Sequence, residues 1–342
     1  MARHLFLVSD AARPCGVEHF ARLAAEHMGA EAETRPLGDD WPPGDDVVLN
    51  LPMLAWKRRL LSPVLAALRA RLAGRDVTLM LHEWADLALA RRLSYLPLLP
   101  LATRLLFSSP EVRAQYEATP VSAATTARRG VVPIPPNFIV PRWTQPSPTS
   151  ERLAVERGKG RLVVAQFGSI YPRKDPLAVL DVIAVLAARD VDVHFVFIGA
   201  FVDASVEARV TARVAELGLG ERVSVTGHVE SAAELYGIFA EVEVFLYALS
   251  EGLTSRRGSV LASAMSGRPV VVGAPRRPDS LAHHKLFHAL LGNGSLHLVP
   301  PDSGAAALAD AVQAARGVSP VPIDTAQLID RVWRDVVAAF DA

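Results

Sequence analysis

Two short stretches gather the residue types that hold a phosphate. The first reads Gly168-Ser169-Ile170-Tyr171-Pro172-Arg173-Lys174-Asp175-Pro176. Gly168 lets a backbone turn approach a ligand closely, and Asp175 before Pro176 reads as an N-cap with proline at the first helical position. Arg173 and Lys174 then lie beside the unpaired amides of a helix start. That arrangement suits a phosphate and equally fits an ordinary turn with solvated charges. The second stretch reads Ser250-Glu251-Gly252-Leu253-Thr254-Ser255-Arg256-Arg257-Gly258-Ser259, followed by a helix over 260–266 that stops at Gly267. Here two arginines and several hydroxyls crowd a helix start, and Gly258 permits close backbone contact. Two such loops at one edge of one sheet would clamp the two phosphates of a nucleotide diphosphate. Glu251 either accepts hydrogen bonds from sugar hydroxyls or pairs with Arg256 or Arg257. Neither loop has the Gly-x4-Gly-Lys-Ser/Thr spacing of a P-loop, and no Gly-x-Gly-x-x-Gly follows the first strand. Both absences weigh against ATPase and dehydrogenase chemistry.

The elements that would position these loops alternate between short apolar runs and longer helical stretches. In the first half, strands are expected at 4–9, 46–51, 77–81, 104–108 and 130–134, with helices at 17–28, 63–72 and 110–116. The second half repeats the rhythm with strands at 161–167, 194–198, 223–226, 242–247, 269–272 and 295–299. Strand, helix, strand in this order means parallel pairing, and runs apolar throughout mean strands buried on both faces. The fold class expected is therefore α/β, with two doubly wound, Rossmann-like domains. Six prolines between 133 and 148 form an extended connector. The organisation read from this is a first domain over 1–140, a proline-rich linker over 141–150, a second domain over 151–322 and a terminal helix over 323–342. The helix has apolar residues at helical spacing (Leu328, Ile329, Val332, Val336, Val337, Phe340) and is expected to pack back onto a domain, with the first as a candidate.

Composition narrows the classes. The 342 residues exceed the ~250–300 that one hydrophobic core usually serves. Thirty-six basic side chains cancel 36 acidic ones, so no global field favours nucleic acid. The single cysteine, Cys15, excludes an internal disulfide framework and a multi-thiolate metal site. Arg3 and His4 precede only four apolar residues, better read as a strand than as a signal, and no run approaches the ~18–20 apolar residues of a span. The expected location is the cytoplasm. Thirty-two arginines against four lysines suggest a GC-rich bacterial genome.

These residues resemble the retaining glycosyltransferases of GT-B fold, family four, most strongly from 161 to 301. The family's strand, glycine, loop and lysine element is similar to Phe167-Gly168 through Lys174, and its next strand-end glycine to Gly199. Its base-approaching stretch resembles Val225-Thr226-Gly227-His228-Val229, and its Glu-Gly donor loop resembles Glu251-Gly252. Its Ala-Met segment is similar to Ala264-Met265-Ser266-Gly267-Arg268-Pro269-Val270, one residue shorter. In the first half, Gly16-Val17-Glu18 resembles the acceptor-side loop, His82 the histidine facing the donor sugar, and Ile134-Pro135-Pro136-Asn137 the entry to the linker. The chain departs from the family where a second donor-loop glutamate usually binds the ribose: Ser259 stands there by spacing, or Ser263 if the Ala-Met segment is the anchor. The loop is also about four residues longer, with an Arg-Arg-Gly-Ser insertion.

The resemblance implies two domains facing each other across a cleft and retaining transfer of a sugar from a nucleotide-diphosphate donor, UDP or GDP. It implies catalytic roles for His82, Lys174 and Glu251. Phosphate contacts would come from Gly168, Ser169, Arg173, Lys174, Thr254, Ser255, Arg256, Arg257, Gly258 and Ser259. The donor sugar would meet Glu251, Gly252 and Leu253, and the base and ribose Gly199, His228, Val229 and Ser263. Gly16, Val17 and Glu18 would face a glycan, lipid-linked or small-molecule acceptor. No metal and no resident cofactor are implied. A catalytically silent nucleotide-binding partner subunit and a nucleotide-sugar epimerase on the same scaffold are the competing readings. Asp190-Val191-Asp192 precedes a strand at the wrong sheet edge and reads as structural. His284 and His288, four apart, read as solvated or capping rather than zinc ligands. Trp56-Lys57-Arg58-Arg59-Leu60-Leu61, running on to Arg69, Arg71 and Arg75, is basic and amphipathic. It reads as a surface resting on an anionic inner membrane face or as a solvated helix face.

Overall fold

The computed structural model describes residues 4–10, 15–38, 45–59, 61–136 and 138–341, without the side chains of Lys57, Arg58 and Ala124. Arg3, Leu60 and Asn137, all named above, lie outside the described residues. The chain divides into two compact units, Met1–Ile134 with Asp330–Ala342, and Pro135–Ile329. The division falls at Ile134, earlier than the 140 read from the prolines. Residues 148–150, read as the end of the linker, instead begin the helix Pro148–Gly158 of the second unit, held by a capping box between Ser147 and Ser150.

The first unit is a six-stranded parallel sheet in the order β2-β1-β3-β4-β5-β6. Its strands are β1 (His4–Val8), β2 (Ala32–Pro36), β3 (Asp46–Leu51), β4 (Val77–Leu81), β5 (Arg104–Phe107) and β6 (Arg128–Val131). β1, β3 and β4 are buried almost throughout, as parallel strands covered on both faces must be. The two outer strands depart from expectation. β2, Ala-Glu-Thr-Arg-Pro, has no apolar run because it is an edge strand and half-solvated. β6 sits earlier than 130–134 because Pro133, without an N–H, cannot extend a ladder. From Asp330 on, the terminal helix Thr325–Asp341 belongs to this unit: Phe340 meets Phe6 at 5.3 Å, Trp333 stacks on His27 at 4.1 Å, and Arg104 donates to the Phe340 carbonyl.

The second unit is a six-stranded parallel sheet in the order β12-β11-β10-β7-β8-β9. Its strands are β7 (Leu162–Phe167), β8 (Val193–Ile198), β9 (Val223–Val225), β10 (Val244–Tyr247), β11 (Val270–Gly273) and β12 (Leu296–Val299). Strand order reverses between β7 and β10, which pair directly, Val244 beside Val164 and Phe245 beside Ala165. In such sheets a crevice opens beyond the strand ends at the point of reversal.

Candidate active site

β7 and β10 are parallel neighbours, so the loops that leave their carboxyl ends emerge side by side. These are the loops 168–175 and 248–257, which lead into the helices Pro176–Ala188 and Gly258–Met265. Gly168 takes φ +101°, and a Cβ there would lie 2.3 Å from Lys174 Nζ and 3.1 Å from Ser259 Cβ. The left-handed φ is what demands glycine here, and the lysine of one loop and the helix start of the other close over the space beside it. Gly199, ending β8, takes φ +151°, where a Cβ would meet the Gly168 carbonyl at 2.4 Å. Its N–H donates to Thr226 Oγ1 at 3.1 Å, so the ends of β7, β8 and β9 interlock.

Lys174 is buried at the centre. Its Nζ donates to the Phe167 carbonyl at 2.7 Å and lies 5.8 Å from the Tyr171 ring. Burial, reinforced by the charge of Arg257, pushes its ammonium down to about 7. Asp175, at φ +45°, caps the following helix by accepting from Ala178 N at 3.3 Å. Arg257 bridges the loops: Nη1 donates to Tyr171 Oη at 2.5 Å and Nη2 to Glu251 Oε1. Arg256 Nη2 stands 3.9 Å from the same oxygen. Of the two readings of Glu251, the structure holds the ion pair. Ser250 Oγ reaches the Arg173 carbonyl at 3.4 Å, a further link between the loops. Thr254 Oγ1 and Ser255 Oγ are buried with no hydrogen-bond partner among the described residues. Buried hydroxyls left so are costly, by about 1–3 kcal/mol each, and mark a place where a ligand or water completes them. Ser169 is exposed at the mouth and Gly258 half-buried. A cavity of about 310 Å³ adjoins the loops, lined among others by Asp175, Ser250, Gly252, Ala274, Arg276 and Asp302.

Four assignments need correction. Ser263, expected at the ribose, is fully buried and shares a 2.8 Å hydrogen bond with Tyr247 Oη, because its side of the helix faces the sheet. Leu253, expected at the sugar, is fully buried, and its N–H donates to the Gly273 carbonyl at 3.0 Å. Gly252 packs on the same strand end, with room for no Cβ against Ala274 O at 2.5 Å, so this pair anchors the loop. Glu18, expected on the acceptor side, is fully buried in the first unit; it accepts from Ser9 N at 3.2 Å, Ser9 Oγ at 2.6 Å and Arg22 Nη2 at 2.7 Å. His284, read as solvated or capping, takes the N-cap position of the helix Lys285–Gly292 without a side-chain cap bond, and its ring is buried edge-on to Phe287 at 5.0 Å.

The remaining expected residues lie as follows. His228 is exposed and Val229 half-buried just beyond β9, two strands from β7. In the first unit Gly16 opens the helix Gly16–Met28 with Val17 half-buried behind it. His82 follows β4, buried; its Nε2 is 3.1 Å from Asn50 Oδ1 and its ring is 5.2 Å from that of Phe20. Asp192, of the Asp-x-Asp stretch, pairs with Arg222 at 2.9 Å and Arg161 at 3.3 Å at the amino edge of the second sheet.

Sequence reasoning missed Tyr247. Its buried hydroxyl accepts from Phe167 N at 3.2 Å and donates toward Ser259 O at 3.1 Å besides its bond to Ser263, tying both site strands to the helix. Burial pushes its ionisation far upward, so it stays a neutral hydrogen-bonding group. A tyrosine closing an otherwise apolar strand was the available signal.

Across its length the chain is similar to HepE of Anabaena, solved with UDP-glucose, at a TM-score of 0.64 and 16% identity, covering 100% of this chain and 95% of that one. WaaG, a glycosyltransferase involved in lipopolysaccharide biosynthesis, aligns at a TM-score of 0.57 and 13% identity over 99% and 95% of the two chains. The sucrose-phosphate synthase of Thermosynechococcus elongatus aligns at 0.57 and 17% identity over 98% and 94%. The architecture is that of the GT-B fold. No curated protein is similar to the chain in sequence. Residues 161–315, which carry the second sheet and both site loops, match the family described as glycosyl transferases group 1.

Proposed function

We propose that the chain is a retaining glycosyltransferase that moves a sugar from a UDP or GDP donor to an acceptor held by the first unit. One observation carries the reading. Lys174, Arg257 and the hydroxyls of Thr254 and Ser255 lie where β7 and β10 end, at the start of two helices, and the buried hydroxyls have no hydrogen-bond partner among the described residues. The family of the second unit supports it, as do HepE structures that hold UDP and UDP-glucose.

When the bond from the anomeric carbon to the diphosphate breaks, negative charge grows on the leaving oxygen. Lys174, Arg173, Arg256 and the first amides of the helix Pro176–Ala188 would receive it, joined by Arg257 once it leaves Glu251. The leaving oxygen takes the acceptor hydroxyl's proton as the new carbon–oxygen bond forms on the same face, which keeps the anomeric configuration. Glu251 exchanges Arg257 for hydroxyls of the sugar as the diphosphate claims the arginine. His82 is assigned to the donor sugar through the resemblance alone.

A thermal-shift panel of nucleoside diphosphates, followed by donor-consumption assays, tests the reading. UDP or GDP should raise the melting temperature, and the matching sugar donor should be consumed. Binding without consumption of any donor would favour the silent partner subunit; no binding at all would end the proposal.

A further inference from the structure

The helix Ser62–Leu72 of the first unit turns its small side chains inward and its large ones outward. Ala66, Ala67 and Ala70 are 8%, 0% and 1% exposed, whereas Leu65, Leu68 and Leu72 are 62%, 40% and 80% exposed. Leu61, 74% exposed, continues the same spiral, since Leu65 N donates to its carbonyl at 3.0 Å. At about 100° per residue, these four leucines fall within an arc of about 60° on the side away from the alanines. Arg69 and Arg71 then project about 80° to either side of Leu61, one on each shoulder of the row.

Single exposed leucines are ordinary; a contiguous row is not. Among the described residues, seven of the 15 exposed large apolar side chains lie between 54 and 93, the others being Leu54, Leu89 and Leu93. Charge follows the same stretch. From 54 to 75 the sequence holds six basic residues and no acidic one, in a chain whose net charge is zero. The nearest acid along the chain, Asp76, stands 3.8 Å from Arg71.

The geometry points to this face as a docking surface for an anionic lipid bilayer: the leucine row enters the acyl boundary while Arg69 and Arg71 extend outward to lipid phosphates. A second copy of the chain fits less well, because a two-fold contact on this row would set arginine against arginine. A bilayer offers the complementary pattern, an apolar layer edged with phosphate. The inference stands whether or not the chain transfers sugar, and its test reads binding alone.

The full chain is sedimented with vesicles of phosphatidylcholine and with vesicles of phosphatidylcholine mixed with phosphatidylglycerol. Binding should appear on the mixed vesicles and weaken with added salt. Leu65→Ser with Leu68→Ser, and separately Arg69→Glu with Arg71→Glu, should each lower it about tenfold or more while nucleoside diphosphate binding stays unchanged. The variants alter exposed positions, so the melting temperature should hold. Equal binding to both vesicle types, binding that survives both pairs of substitutions, or no binding overturns the inference. So does a concentration-dependent dimer in sedimentation velocity that the leucine substitutions dissolve without any vesicle binding.

Discussion

Each sheet reverses its strand order once, between β1 and β3 in the first unit and between β7 and β10 in the second, and the two places are finished differently. Beyond β1, Glu18 is buried with both oxygens occupied by Ser9 and Arg22, and Arg22 also donates to the Ser9 carbonyl at 2.7 Å. That cluster is closed on itself. Beyond β7 and β10, a buried lysine has a carbonyl as its hydrogen-bond partner, and two buried hydroxyls have none among the described residues. The same architecture therefore serves as a settled joint in one unit and as an unfinished polar site in the other. Fold alone distinguishes neither; the residues at the strand ends do.

Substitutions can break this contrast. The largest effect is expected at Lys174→Met, which keeps the volume and removes the charge. Donor consumption should fall about 10²–10³-fold, with a melting temperature equal to or above that of the parent chain. Retained turnover would show that Lys174 is as structural as Glu18.

The same lysine gives a pH signature. Its folded value is about 7 and its ordinary value is 10.5, so between these limits the unfolded chain holds a proton that the folded chain lacks. Stability should therefore rise with pH across this window, and Lys174→Met should flatten that rise. On the proposed reading, a diphosphate bound beside Lys174 would restore the proton. Nucleoside diphosphate affinity should thus fall above pH 7, by at most about tenfold per pH unit, with proton uptake visible in titration calorimetry.

On the other side of the contrast, Glu18→Ala strips four donors, Ser9 N, Ser9 Oγ and Arg22 Nε and Nη2, of their buried acceptor. It should cost about 2–3 kcal/mol in urea unfolding followed by tryptophan fluorescence, a signal to which Trp56, Trp84 and Trp333 of the first unit contribute. A neutral outcome would mean the cluster is not closed after all. Tyr247→Phe should cost less, about 1–2 kcal/mol, and should weaken diphosphate binding because both loops hang from that hydroxyl. The smallest effect belongs to Glu251→Gln. Binding of the bare diphosphate should tighten slightly as Arg257 is released, while the extra affinity of the sugar-bearing donor, about threefold to tenfold, should disappear. The opposite pattern would place the sugar elsewhere.

How much of this was legible in the sequence follows from where each signal resides. β3 and β4 match the apolar runs 46–51 and 77–81 to the residue, because a strand buried on both faces leaves no other pattern. β2 was not anticipated, since Glu33, Thr34 and Arg35 at a sheet edge look like loop. The two site loops were readable from glycines and cations next to helix starts. The clamp inside them was not, because Tyr171 and Arg257 are partners only once β7 and β10 pair. Ser263 and Glu18 were misassigned for one reason. A residue's type says what it can bond, whereas its phase on a helix decides whether it faces solvent or the sheet, and phase is fixed by tertiary packing.

The terminal helix bears on the order in which the chain can fold. Phe6 and Phe20 of the first unit are covered by Phe340 and Trp333, which are synthesised after the whole of the second unit. The half that is synthesised first must therefore wait, incomplete, until the half synthesised second has already been made, inverting the usual sequence of domain maturation. A fragment ending at Ile134 would stay permanently in that waiting state, whereas joining residues 330–341 to it through a short linker should release it.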